Sequence, residues 1–214
     1  YIWRDGLEII GNVNNILQYA PNLKEKYPGN AAEIELIRAQ ALYIRALVHL
    51  NLCCCYGQHY TYTPDASHWG VPNLSILPSA NDPVLRASVY DVYNKRIIPD
   101  LEEAIGIFGS TTMDCYHASA TACEALLARV YLYMEQWQKA SDYATTVIAK
   151  VPLTSYENYV NMYVNIETGS EAIFRLNGFR ASKDLWKFYD PVSPIARPAD
   201  TLYTFFDQPD DIRL

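Results

Sequence analysis

Residues 122–150 read ACEALLARVYLYMEQWQKASDYATTVIAK, and the fold is decided there. Apolar side chains return every three or four residues, the period of one helix face. The pattern runs on both sides of a polar break at Glu135–Gln136. It predicts two helices joined by a tight turn. Thr121 and Glu124 offer a capping pair at the start, since side chains three residues apart can satisfy a helix's first free N–H groups. Ala128 and Ala140 stand twelve residues apart, and Pro152 follows twelve later. Small residues let two helices approach, and a proline ends the second by removing a backbone donor.

With that spacing, Leu127 and Ala128 fall on the tight-packing positions of a tetratricopeptide unit and Tyr131 on its aromatic one. Ala144 and Val147 depart from the template, which favours an aromatic and an alanine there. Upstream the helical period continues. Trp3, Leu7, Ile10, Val13 and Leu17 make one face, and Pro21 and Pro28-Gly29 are expected to break it. A longer helix is predicted from Ala31 to Tyr56, with Gly57 as its stop. Its main stripe is Ile34, Ile37, Ala41, Ile44, Val48, Leu52 and Cys55, with a second at Leu36, Leu47 and Leu50. A helix apolar on two faces sits between neighbours. Ser88, with Asp91 three residues on, starts another helix lined by Val89, Tyr93, Ile97, Leu101, Ala104 and Phe108, which Pro99 should kink. The segments 31–56 and 88–108 read as a second helical pair with a long loop between them.

That loop, 57–87, has no periodicity yet carries Tyr60, Tyr62, His68 and Trp69. Loops beyond about 15 residues in a compact domain are usually functional or disordered, and the aromatic content argues against disorder. After Pro152, Tyr156, Tyr159 and Tyr163 suggest a short helix, Glu171 to Leu176 a short strand, and 177–200 an irregular stretch with Trp186. The fold class is all-α, a tetratricopeptide-like scaffold with long irregular loops. We expect a single domain over 1–214, with the helical core at about 1–150 and a loop-rich segment at 151–214.

The chemistry is mostly exclusion. A net charge of −7 repels phosphate backbones, so nucleic acid is no partner. No apolar run reaches the roughly 18 residues of a membrane-spanning helix. The five cysteines, three of them consecutive at Cys53-Cys54-Cys55, form no disulfide framework, and neighbouring helical positions diverge too far to share a metal ion. They are read as small apolar residues packed at a helix end. His59 and His68 have only Asp65 beside them, too few donors for a metal site. There is no phosphate-cradling glycine loop, no nucleophile elbow and no zinc-protease motif. Glu102-Glu103 and Asp210-Asp211 are adjacent acids that diverge on a helix, unlike a glycosidase pair. No cofactor and no catalytic residue is expected. The 18 tyrosines, beside 4 Trp and 6 Phe, suit a wet binding surface as well as a core.

Taken in order, the segments resemble the SusD/RagB family. Val13-Asn14-Asn15-Ile16-Leu17 is similar to its "A-N-x-I-L" helix, and Ile37-Arg38-Ala39 through Tyr56-Gly57 to its "L-R-A … Y-G" helix. Gly70-Val71-Pro72 resembles its "G-V-P", and Val89-Tyr90 to Ala104 its "V-Y … I-x-x-D-L-x-x-A" helix. The closest likeness is Ala125 to Tyr133 followed by Trp137 and Ala140; Ser170 to Phe174 and Asp211-Ile212-Arg213 agree with later landmarks. Two departures are the residues Gln58 to Trp69 between "Y-G" and "V-P", and the cysteine triplet. The resemblance implies a non-catalytic, surface-exposed, lipid-anchored outer-membrane protein. It would capture an oligosaccharide or polysaccharide for a SusC-like TonB-dependent transporter. Its anchor and signal would lie outside a chain that begins and ends like a central fragment. A tetratricopeptide-like scaffold for peptides or proteins, without sugar binding, is the alternative, and a helical enzyme a third. For ligand contact we single out Tyr60, Tyr62, His68 and Trp69, then Trp186. Exposure separates a binding platform, with a ring face open to solvent, from rings folded back as a packing cluster.

Overall fold

Both helices expected at 122–150 are present in a computed structural model of the chain. It describes residues 2–76, 83–159 and 171–176, with Ala196, Ala199 and Thr201. The helices are α1 Ile2–Lys26, α2 Ala31–Tyr56, α3 Val89–Val92, α4 Ile98–Phe108, α5 Ala120–Tyr133 and α6 Trp137–Lys150. The chain divides into two compact units, Tyr1–Val151 and Pro152–Leu214. In the first, α1 packs on α2, α2 on α4, α4 on α5 and α5 on α6. That serial stacking makes the fold all-α and tetratricopeptide-like.

Small residues set the spacing of the stack. Ala39, Ala46 and Ala104 are fully buried, and a Cβ added at Gly6 of α1 would come within 2.9 Å of Leu52 on α2. Between α5 and α6, Ala140 is buried and Tyr131 stacks on Tyr143, with centroids 5.6 Å apart and planes 14° from parallel. The turn joining them is a Schellman closure. Gln136 N–H donates to the Tyr131 carbonyl and Glu135 N–H to that of Leu132. Glu135 takes the left-handed position at φ +57°, where glycine is usual.

Several local expectations are corrected. The N-cap of α5 is Ser119, whose hydroxyl accepts from Ala122 N–H, so Thr121 lies inside the helix. Pro21 lies within α1 without ending it; its fixed φ is helical, and the helix continues despite the lost hydrogen bond and the crowding of the carbonyl four residues earlier. Ile37 is 49% exposed and Cys55 is exposed, so the Ile34-to-Cys55 stripe is buried only in part, at Ala41 and Leu52. Ala39, Leu42, Ala46, Leu50 and Cys53 are buried beside them, because α2 packs against both α1 and α4. Residues 171–176 form no strand, whereas at the expected short helix Tyr156–Asn158 is a 3₁₀ turn that runs into a helical Tyr159. Tyr163 lies outside the described residues.

Pro99 acts less simply than a kink. Between α3 and α4 the backbone widens into a π turn, Tyr93–Ile97, in which Ile98 N–H reaches back five residues to the Tyr93 carbonyl. A proline ring clashes with the carbonyl four residues earlier, and the wider turn accommodates it. It also repairs the phase of the helix. Val89 and Phe108 are nineteen positions apart, which at about 100° per residue would leave them about 100° out of register on an unbroken α-helix. Both are buried. The extra residue taken up by the π turn closes that gap.

Candidate ligand-binding site

The site is built at the C-terminal end of α2. Gly57 ends the helix in an extended conformation, its N–H donating to the Cys53 carbonyl at 2.8 Å. A Cβ here would stand 2.9 Å from that same oxygen, so the position excludes larger residues. The chain then makes a 3₁₀ turn, Tyr60–Tyr62, and returns to pair with the start of α3 through an antiparallel bridge between Trp69 and Ser88. Gly70 N–H donates to the Ala87 carbonyl, Ala87 N–H to that of Val71, and Val89 N–H to that of His68. Gly70 is required by proximity, since a Cβ would meet the Val89 backbone at 3.1 Å.

Arg86 fastens this neck. Its Nε donates to the Gly70 carbonyl at 2.6 Å and its Nη2 to the Tyr56 carbonyl at 2.6 Å, one of the carbonyls α2 leaves unpaired at its end. Thr61 donates to Glu135 at 2.8 Å, tying the loop to the α5–α6 turn. The described part of the loop is thus tied at several points to the helices around it.

On that support the singled-out residues part ways. Tyr60 turns inward, its ring 5.1 Å from Tyr93 and its hydroxyl accepting from Asn94. Tyr62 is 57% exposed and meets the rings of His59 and His68 edge-on, at 5.8 and 5.3 Å. His68 is half-buried. Its Nδ1 lies 2.8 Å from the Thr63 hydroxyl, and its Nε2 3.4 Å from the Gln58 carbonyl. Trp69 is 68% exposed, the largest open ring of the loop. Trp186 lies outside the described residues. Trp3 and Tyr56, not singled out from sequence, meet edge-on at 4.9 Å at the same end of α2.

Beneath the loop runs a buried polar chain that the sequence did not disclose. Arg45 of α2 grips Asp100 of α4 with two hydrogen bonds of 2.7 and 2.8 Å and donates a third to Asn14 of α1 at 2.8 Å. Asn14 in turn donates to the Leu74 carbonyl, and Arg96 donates to Asn73. Asn14 of α1, itself held by Arg45, and Arg96 thereby hold the segment at 73–74. Nearby His49 is fully buried, its Nδ1 2.8 Å from the Arg45 carbonyl, and burial lowers its pKa to about 4. All five cysteines are free thiols. Only Cys53 of the triplet is packed, so the reading of three buried residues is corrected; Cys54 and Cys55 are exposed. Among the described residues, no cluster of His, Cys, Asp and Glu is arranged to hold a metal ion. No described helix is long and apolar enough to cross a membrane.

Residues 1–132 match the sequence pattern of a SusD-like family described as "Starch-binding associating with outer membrane". The chain belongs to the SusD-like family. Solved structures agree with this. A SusD superfamily protein of Bacteroides thetaiotaomicron is 30% identical, matching 75% of this chain and 35% of its own, with a TM-score of 0.66. One from Bacteroides vulgatus is 28% identical, matching 82% of this chain and 40% of its own at a TM-score of 0.72. A laminarin-binding SusD-like protein is 26% identical, matching 81% and 36%, with a TM-score of 0.61. This SusD-like chain thus spans between a third and two-fifths of those relatives. None of the curated proteins matches it.

Proposed function

We propose that this SusD-like chain binds an oligosaccharide without transforming it, on the loop that carries Trp69 and Tyr62. The observation that supports the reading is the outward ring of Trp69 on a loop pinned to two helices. A sugar's C–H face stacks on an aromatic ring, and its hydroxyls need polar neighbours; the same loop carries Thr63, Asp65 and His68. Holding Trp69 open to water has a hydrophobic cost, and a mount tied at several points lowers the entropy lost when a ligand settles on it. The family's description and the laminarin-binding relative point to glucans as the first ligands to try. Surface display through a lipid anchor and delivery to a SusC-like TonB-dependent transporter complete the reading.

The test is Trp69→Ala, titrated with glucan oligosaccharides by calorimetry and melted in parallel. The ring is mostly exposed and its bridge to Ser88 is made by backbone, so stability should hold. Affinity should fall by about 1–3 kcal/mol, the scale of stacking on a single ring. Unchanged affinity with a lowered melting temperature would make Trp69 a packing residue.

The scaffold reading without sugar binding rests on another feature. An apolar groove of about 360 Å³ runs between α1 and α2, lined by Ile16, Tyr19, Leu23, Ile34 and Ile37. It expects no glycan to bind, and the same titration decides between them.

A further inference from the structure

A second cavity lies at the end of α2, with Tyr60 in its wall. It holds about 260 Å³ and is lined chiefly by Cys53, Cys54, Gln58, Tyr60, Tyr93 and Tyr133. Cys53 and Tyr93 are buried and form its floor, while Cys54, Gln58 and Tyr133 are exposed at its mouth. The walls are tyrosine rings and thiols, apolar and flat. The Gln58 amide and the Tyr133 hydroxyl bring polar groups to the rim. Burial pushes the Cys53 thiol up to about 12, and burial together with Cys55 raises Cys54. Neither is the low-pKa thiolate that nucleophilic or metal chemistry requires, so the cleft is suited to holding a ligand rather than reacting with it.

Its size fixes how much ligand enters. Pockets for drug-sized molecules run from about 300 to 1,000 Å³, so this one admits a single ring. A flat apolar wall with polar groups at one edge matches a pyranose, which has a C–H face and a rim of hydroxyls. The cleft is also joined to the exposed loop. His59, which shares its lining, meets Tyr62 edge-on at 5.8 Å. We propose that this cleft is a glycan subsite that takes one sugar ring of an oligosaccharide whose neighbouring ring lies over Tyr62. The inference rests on the glycan-binding reading above and adds a place and a stoichiometry to it.

Cys54 provides a reporter, because it lines the cleft while the equally exposed Cys55 does not. The full chain is alkylated with N-ethylmaleimide in a Cys115→Ser background, carrying either Cys54→Ser or Cys55→Ser. The probes are maltoheptaose and laminarihexaose, with binding followed separately by calorimetry. At about ten times its Kd, a bound glycan leaves about a tenth of the sites open, so labelling of Cys54 should slow about tenfold and that of Cys55 should not change. A glycan that binds while both thiols react at their free rates, or while both are slowed alike, overturns the subsite and leaves the Trp69 loop standing. If neither glycan binds, the wider reading fails, and the subsite fails with it.

Discussion

His49 shows how much one buried side chain can say about pH. It is fully buried within α2, with Arg45 and Arg96 close enough to oppose any added positive charge. Burial first, and those guanidiniums after it, lower its pKa from 6.5 to about 4, against hydrogen bonding to the Arg45 carbonyl. The folded protein therefore keeps the ring neutral where the unfolded chain would protonate it. Because the unfolded state binds the extra proton, this contribution to stability is complete above about pH 6.5. It is lost as the pH falls towards about 4. Between pH 7 and 5 the loss from this residue alone is roughly 2 kcal/mol. His49→Gln removes the titrating group, so its urea midpoint should fall less over that interval than that of the parent chain. Equal falls would mean that other groups carry the acid sensitivity.

Helix ends are where the sequence was half readable. At α3 the signal was complete, since Ser88 both looks like a cap and accepts from Asp91 N–H. At α5, Thr121 had a well-spaced glutamate but lies within the first turn, and Ser119, just before the first helical residue, holds the cap. Local spacing admits both, and only the path of the preceding chain chooses. Ser119→Ala should therefore cost about 1 kcal/mol in chemical denaturation and Thr121→Ala far less; the reverse order would restore the earlier assignment. The α5–α6 pair was legible because Ala128, Ala140 and Tyr131 occupy positions that make sense only for close antiparallel helices. The facing of α2 was not. A helix covered on more than one side is apolar nearly all round, so periodicity alone does not rank Ile37 below Ala39.

Across the whole first unit, the Asn14–Arg45–Asp100 chain joins α1, α2 and α4 to the segment beneath the candidate site. Nothing in the sequence announces such a pairing, because its members stand 31 and 55 residues apart and each is an ordinary polar residue alone. The loop's importance was visible, since long aromatic loops are rare; its attachment through Arg86 and Asn14 was not. Arg45→Met should destabilise the chain by about 3–5 kcal/mol, since the buried Asp100 carboxylate loses two short hydrogen bonds and keeps Arg96 at 4.0 Å. Adding Asp100→Leu should recover much of that loss, because no buried charge then lacks its partner. Denaturant curves of the two single variants and the double one measure this, and strictly additive losses would contradict it. Within the same series, glycan titrations report whether the support of the loop has shifted.

The π turn at Tyr93–Ile97 has a consequence for how this chain tolerates insertions and deletions. An α-helix that contains one such turn carries a residue more than its facing requires, so one can be removed without rotating either half. Lys95 is the natural choice, being exposed and paired with Asp91 at the surface, where solvent screens the interaction. Its removal, however, would tighten the turn around Pro99 and restore a clash worth about 3 kcal/mol. Deleting Lys95 should thus destabilise the chain alone and be rescued when Pro99→Ala is made with it. A similar deletion at Glu102, within regular α-helix, gains no such rescue. Thermal melts of the four chains would trace whether proline and surplus residue are retained as a pair.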